Sequence, residues 1–176
     1  PDGSHLAAAG TEGMIRLWAT ESGQARQSFD GHIGTVWALC FSPDGKLMAS
    51  GGADGTVRIW EVQSGRNLRI LYAPQGMRGI CFSPNQKLLA SSSDDGTVYV
   101  WELLAEGGGA ELRLLRHLTG HEGFTMSVAF SPDSSMLATG GADGVIHLWD
   151  VQDDDAQMWR EMHTLRGHNH YLTDLR

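Results

Sequence analysis

Four tryptophans, Trp18, Trp60, Trp101 and Trp149, stand 42, 41 and 48 residues apart. Four prolines, Pro1, Pro43, Pro84 and Pro132, keep the same three spacings. Two residue types held in one register along the whole chain mean that a single supersecondary unit is repeated. That constrains the fold more than any bulk property. The text between the markers repeats too. Ser42-Pro43-Asp44-Gly45 returns as Ser83-Pro84-Asn85-Gln86 and Ser131-Pro132-Asp133-Ser134, and Pro1-Asp2-Gly3 is the same motif cut short. Gly55-Thr56-Val57-Arg58-Ile59-Trp60 returns as Gly96-Thr97-Val98-Tyr99-Val100-Trp101 and Gly144-Val145-Ile146-His147-Leu148-Trp149.

Each period reads as short strands. Residues 36–41, 47–50, 57–62 and 68–72 are rich in apolar and β-branched residues, and they are separated by Pro43-Asp44-Gly45, by the glycine-rich 51–55 and by Ser64-Gly65. Short apolar runs bounded by Gly, Asp and Pro are strand signals. No uninterrupted stretch carries the 3.6-residue period of a helix. The expected fold is all-β, with four repeats of four antiparallel strands in one domain, 1–176. The repeats run approximately 1–30, 31–72, 73–119 and 120–166, and a further one starts at 167–176.

A four-stranded meander of this period, with a Gly-His and a Trp-Asp signature, is the pattern of a WD40 blade. The chain resembles the WD40 repeat family over its whole length. Gly31-His32, Gly120-His121 and Gly167-His168 carry the opening dipeptide, and Trp149-Asp150 carries the closing one. Trp60-Glu61, Trp101-Glu102 and Trp18-Ala19 depart from it. The resemblance implies β-propeller blades, forming a partial propeller or part of a larger ring.

His, Ser or Thr, Asp and Trp recur at fixed offsets. His32, Ser50, Asp54 and Trp60 form one set, and His121, Thr139, Asp143 and Trp149 form another, both with offsets of 18, 4 and 6. A Ser/His/Asp set invites a hydrolase reading. However, a nucleophile occurs once, in a cleft, whereas these sets recur with the repeat. The resemblance implies that they are a buried hydrogen-bond chain from indole to hydroxyl to imidazole to carboxylate, in which paired polar groups fix one geometry. The third repeat has Ala73 at the histidine position but keeps Ser91, Asp95 and Trp101, and the first has Ala8 and Glu12 beside Trp18. Those two blades are expected to be less rigid.

Other motifs carry little chemistry. His168-Asn169-His170 is accounted for by the Gly-His dipeptide rather than by a metal. Asp153-Asp154-Asp155 lacks the spacing and glycine of a calcium loop and reads as a solvated loop. Gly107-Gly108-Gly109 is not followed by Gly-Lys-Ser/Thr, so it reads as a flexible connector. Cys40 and Cys81 share one column, have no metal spacing and read as small packing residues. The expectation is no cofactor, no metal and no catalysis.

The balance of 13 basic and 21 acidic residues, a net charge of −8, weighs against a nucleic-acid partner, with a local basic patch near Arg113 and Arg116 left open. No run of about 18 apolar residues exists to span a membrane. Two cysteines without metal or CxxC spacing fit a reducing compartment, read as cytoplasmic with the nucleus not excluded.

The resemblance also implies where partners sit. Three columns line the rim of the propeller face that bears the Gly-His loops and Asp turns. Two lie three and five residues after the histidine position, giving Thr35 and Trp37, Gly76 and Arg78, Phe124 and Met126, Tyr171 and Thr173. The third precedes the turn Asp and gives Thr11, Ala53, Asp94 and Ala142. Trp37, Arg78, Phe124, Met126 and Tyr171 are interface-type residues, although Trp37 and Met126 also fit burial between blades. The function read from this is a scaffold presenting a face to protein or peptide partners through Thr35, Trp37, Arg78, Asp94, Phe124, Met126 and Tyr171. The alternative is a regulatory or sensor domain of a larger signalling protein, a kinase or NTPase whose catalytic part lies outside this chain.

Strand counting gives one more expectation. The first repeat lacks its innermost strand, and residues 171–176 form such a strand with no blade of their own. That strand would complete the first blade. Without an initiator methionine, the favoured reading is a piece of a longer chain. A homodimer completing an eight-bladed ring, or an open arc with exposed edges, are the other arrangements.

Overall fold

The computed structural model describes residues 1–104, 111–152 and 155–175. Their regular structure is almost entirely β. The first sheet has three strands, β1 (His5–Ala9), β2 (Ile15–Ala19) and β3 (Ala25–Phe29). The second holds β4 (Val36–Phe41), β5 (Leu47–Gly52), β6 (Thr56–Glu61) and β7 (Asn67–Tyr72). The third holds β8 (Met77–Phe82), β9 (Leu88–Ser93), β10 (Val98–Leu104) and β11 (Glu111–Leu118). The fourth holds β12 (Thr125–Phe130), β13 (Met136–Gly141), β14 (Ile146–Asp150) and β15 (Arg160–Leu165), with a short 3₁₀ turn, Ala156–Met158, before β15. Every sheet is an antiparallel meander in sequence order. The first blade has three strands, in line with the missing innermost strand.

The repeated Ser-Pro-Asp-Gly text makes the first hairpin of each full blade. Ser42 Oγ donates to Asp44 Oδ1 at 2.7 Å and accepts from the Leu47 N–H at 2.9 Å. Ser83 makes the same pair of bonds with Asn85 and Leu88. The fourth residue of the turn is left-handed in all three: Gly45 at φ 70°, Gln86 at 59° and Ser134 at 62°. Gly adopts this without steric cost, and the other two are held by the turn around them.

The core lies between blades rather than within one sheet. Ile15, Leu17, Phe29, Val36, Met48 and Trp60 join the first and second. Ala49, Val57, Ile59, Met77, Leu89 and Trp101 join the second and third, and Ala90, Val98, Val100, Val128, Leu137 and Trp149 join the third and fourth. Inner strands are therefore covered on both faces, which is why β9 is buried at all six positions and β5 at five of its six. The outer β15 is exposed throughout. The innermost strands of the full blades line up in order, β4 against β8 and β8 against β12, and β1 of the three-stranded first blade lies against β4.

The described part of the last segment, 171–175, is not a paired strand. It docks on the fourth blade: the Leu172 N–H donates to the Gly141 carbonyl at 3.2 Å, the Leu175 N–H donates to Ser127 Oγ at 2.9 Å, and Leu172 is buried. It therefore does not complete the first blade, as the strand count had suggested. Its hydrogen bonds go to the fourth blade instead, at the position an innermost strand of a next blade would take. Gly107-Gly108-Gly109 and two of the three consecutive aspartates, Asp153 and Asp154, lie outside the described residues. Asp155 caps the 3₁₀ turn by accepting from the Gln157 N–H at 2.9 Å. Among the described residues no helix is long and apolar enough to cross a membrane.

Candidate functional site: a buried network in two blades and an aromatic–arginine rim

In the second blade the Trp60 indole nitrogen donates to Ser50 Oγ at 2.8 Å. Ser50 Oγ lies 2.7 Å from His32 Nε2, and His32 Nδ1 lies 3.0 and 3.1 Å from the Asp54 carboxylate oxygens. Because the carboxylate only accepts, Nδ1 carries the proton, and Nε2 accepts the Ser50 hydroxyl proton. Asp54 also takes the Ile33 N–H at 2.9 Å and the Thr56 hydroxyl at 2.8 Å. In the fourth blade Trp149 donates to Thr139 Oγ1 at 3.2 Å, Thr139 lies 2.9 Å from His121 Nε2, and His121 Nδ1 lies 3.1 Å from Asp143. The Glu122 N–H caps Asp143 at 2.9 Å.

Burial holds the His32 and His121 pKa values below the ordinary imidazole range. The neighbouring aspartates pull the other way without overcoming it. For Asp54 and Asp143 burial works upward, but donated hydrogen bonds from Ile33 and Glu122, among others, win and hold the carboxyls low. Folded, each pair is a neutral imidazole against an ionised carboxylate.

The third blade departs from expectation. Ser91, Asp95 and Trp101 do not form a chain: Ser91 Oγ is buried without a hydrogen-bond partner among the described residues. With Ala73 in the histidine position no imidazole bridges hydroxyl to carboxylate. Asp95 instead accepts from the Tyr99 hydroxyl at 2.7 Å, and the Tyr99 ring stacks on Trp101 at 5.9 Å. Tyr99 was not singled out from the sequence. Its column, two residues before the tryptophan, holds Arg58 and His147 in the neighbouring blades. That variability beside a constant Trp was the available signal. In the first blade Glu12 pairs outward with Arg16 at 2.5 Å.

His147 brings a second imidazole against the fourth-blade network, with its ring 4.5 Å from that of His121 and its Nδ1 2.8 Å from Glu161 Oε1. Donor atoms of His121, Asp143 and His147 lie within 4.8 Å of one another and are the described residues best placed to hold a metal. His121 already spends both nitrogens on Thr139 and Asp143. The His168-Asn169-His170 pair is exposed and forms no such group among the described residues.

The rim residues are positioned by a backbone device that the sequence did not disclose. Each inner hairpin of the full blades carries a register shift, skipping Trp37 between Val36 and Ala38, Arg78 between Met77 and Gly79, and Met126 between Thr125 and Ser127. A bulged residue is freed from the ladder and its side chain is re-aimed.

Three rim side chains meet. The Arg78 guanidinium carbon sits 4.5 Å from the centre of the Trp37 ring and 5.0 Å from that of Phe124, one ring from each flanking blade. Asp94, on the turn after β9, accepts from Arg78 Nε and fixes the guanidinium in place. Gly76 makes room for the indole, since a Cβ there would come within 2.4 Å of Trp37 Cζ3. Trp37 is 38% exposed and Phe124 46%, so neither is core. Met126 and Thr35 are half-buried. Tyr171 is 68% exposed and makes no ring contact with the stack among the described residues.

Away from the rim, a concavity of about 870 Å³ opens between the first three blades and is lined by His5, Lys46, Val62, Leu68, Leu103 and others. The two arginines of the candidate basic patch are both engaged, Arg113 with Glu102 at 2.6 Å and Arg116 with the Ala156 carbonyl. Cys40 and Cys81 are free, and burial pushes the Cys40 thiol up to about 12 and Cys81 higher still.

Interblade cores, bulged inner strands and a recurring Trp–Ser/Thr–His–Asp network define a protein built of β-propeller blades. The family model described as WD domain, G-beta repeat matches residues 23–61, 65–102 and 112–150, more than half of the chain, and the chain belongs to the WD40 repeat family. Each match starts on or just before the outermost strand of one blade and ends at or next to the tryptophan of the next, offset by one strand from the sheets. Comparison with curated proteins returns no match. Repeats of this family generally mediate protein–protein interaction, and propellers made of them are generally non-catalytic.

Proposed function

We propose that this chain is a non-catalytic scaffold that binds a protein or peptide on the face formed by Thr35, Trp37, Arg78, Asp94, Phe124, Met126 and Tyr171. The observation that carries the reading is the Trp37–Arg78–Phe124 stack. Half-exposed aromatic rings gathered around an ordered arginine are the composition of an interface hot spot. An exposed apolar patch of this kind is seldom left without a partner. The hydrolase reading fails on access: Ser50 is fully buried and its oxygen is occupied by Trp60 and His32, so no substrate carbonyl can approach it. A nucleic-acid partner is disfavoured by the net charge of −8 and the engaged arginines.

The test is selection of peptides from a displayed random library on the immobilised chain, followed by binding to the Trp37→Ala/Phe124→Ala variant. A loss of at least tenfold with an unchanged melting temperature supports the reading. Equal affinity for both proteins contradicts it.

A further inference from the structure

Taking that rim as the binding face, we propose that Arg78 is a receptor for a carboxylate, so that the partner is a peptide presenting an Asp or Glu side chain to the Nη groups of Arg78, with an apolar neighbour lying on Trp37 and Phe124. Three observations lead there. First, the arginine is committed on one side only. Nε donates to Asp94, while Nη1 and Nη2 donate to nothing among the described residues and are not buried. Second, it is already ordered. The guanidinium lies between rings from two blades and is tethered by Asp94, so little side-chain freedom remains to be lost on binding. Third, the free groups are the paired donors that match the two oxygens of a carboxylate.

The surrounding charge selects within the anions. Asp94 already sets one negative charge against Arg78, and the chain carries −8 overall. A phosphate, with a charge of about −1.5 to −2, meets more repulsion there than a singly charged carboxylate. A cationic partner side chain finds the ring faces taken by Arg78 and the Asp94 carboxylate already paired. Recognition therefore rests on a hydrogen-bonded fork rather than on a long-range field, and it is expected to depend only weakly on salt.

The experiment is a double-mutant cycle on peptides selected as above. The wild-type chain and Arg78→Lys are each titrated with the selected peptide and with its Glu→Gln or Asp→Asn counterpart. Lysine keeps the charge but lacks the fork. Either single change is expected to weaken binding by about tenfold or more, and the second change adds little once the first is made. The peptide change leaves the protein untouched, so the loss it causes on the wild-type chain tests the carboxylate contact however well Arg78→Lys folds. Rim-binding peptides without an acidic residue, or independent losses in the cycle, overturn the carboxylate receptor and leave the rim reading standing. Peptides indifferent to the Trp37→Ala/Phe124→Ala change overturn the rim reading itself.

Discussion

The guanidinium of Arg78, on the third blade, lies 4.5 Å from the centre of the Trp37 ring on the second. Both are bulged residues of inner strands, so the contact is made by the two positions that the sheets release from their ladders. Gly76 lies beneath it, where a Cβ would come within 2.4 Å of the indole. Gly76→Ala is therefore expected to displace Trp37 outward. Because Trp37 is already half-exposed, the melting temperature should fall little, whereas rim binding should fall about tenfold. Titration of a selected peptide against Gly76→Ala, with melting followed by circular dichroism, checks both halves.

The hydroxyl column distinguishes the second blade, which carries the network, from the third, which does not. Ser50 Oγ accepts from Trp60 and bonds His32, while Ser91 Oγ, equally buried, bonds nothing among the described residues. Ser50→Ala leaves a buried indole N–H and an imidazole nitrogen unpaired and should cost about 1–3 kcal/mol. Ser91→Ala should be near neutral or slightly stabilising. Chemical denaturation of the two variants decides this, and equal losses would contradict the assignment.

Glu12 offers the same contrast in the first blade, since its partner Arg16 is exposed. Asp143→Asn or His121→Ala should lower the melting temperature by several degrees, and Glu12→Gln by much less, because exposed ion pairs contribute about 0–1 kcal/mol. Calorimetry of the three variants reads the difference.

The networks also set a pH dependence. His32 and His121 have lowered pKa values when folded, so the unfolded chain binds more protons just below the ordinary imidazole pKa of about 6.5. Stability from these pairs is present above about pH 6.5 and is lost progressively as pH falls from there to the lowered folded value. The lowered Asp54 and Asp143 carboxyls add a second loss below about pH 4. Denaturation midpoints from pH 8 to 5 should decline for the wild type and decline less for His32→Gln/His121→Gln.

The thiols make a simple check on the interblade core. With Cys40 pushed up to about 12 and Cys81 higher, almost no thiolate exists at pH 8. A disulfide reagent should titrate neither cysteine rapidly in the native chain and both in guanidinium chloride.

The tryptophan and proline registers made the blades legible because a repeated hairpin needs the same turn and the same packing residue each time. Trp60 and Trp149 could be placed on a network because His, hydroxyl and Asp precede them at constant offsets and the resemblance to WD40 repeats implies the role of that set. The third blade was not legible in this way. Its Asp95 finds a partner in Tyr99, whose hydroxyl takes the place of a missing imidazole, and no offset rule anticipates such a substitution. The rim columns followed from resemblance, but the contact of Arg78 with Trp37 and Phe124 did not. It depends on bulges that shift register by one residue and on Asp94 reaching Arg78 Nε, and both are tertiary outcomes. The docking of Leu172 and Leu175 on the fourth blade likewise rests on hydrogen bonds to Gly141 and Ser127, which strand counting does not reveal.

The most direct measurement of the central claim is amide chemical-shift mapping of the labelled chain with a selected peptide. The account predicts perturbations centred on Trp37, Arg78, Asp94 and Phe124, with the buried Ser50 and Thr139 networks unmoved. Perturbations centred instead on the concavity at His5, Lys46, Leu68 and Leu103, with the rim silent, would contradict it.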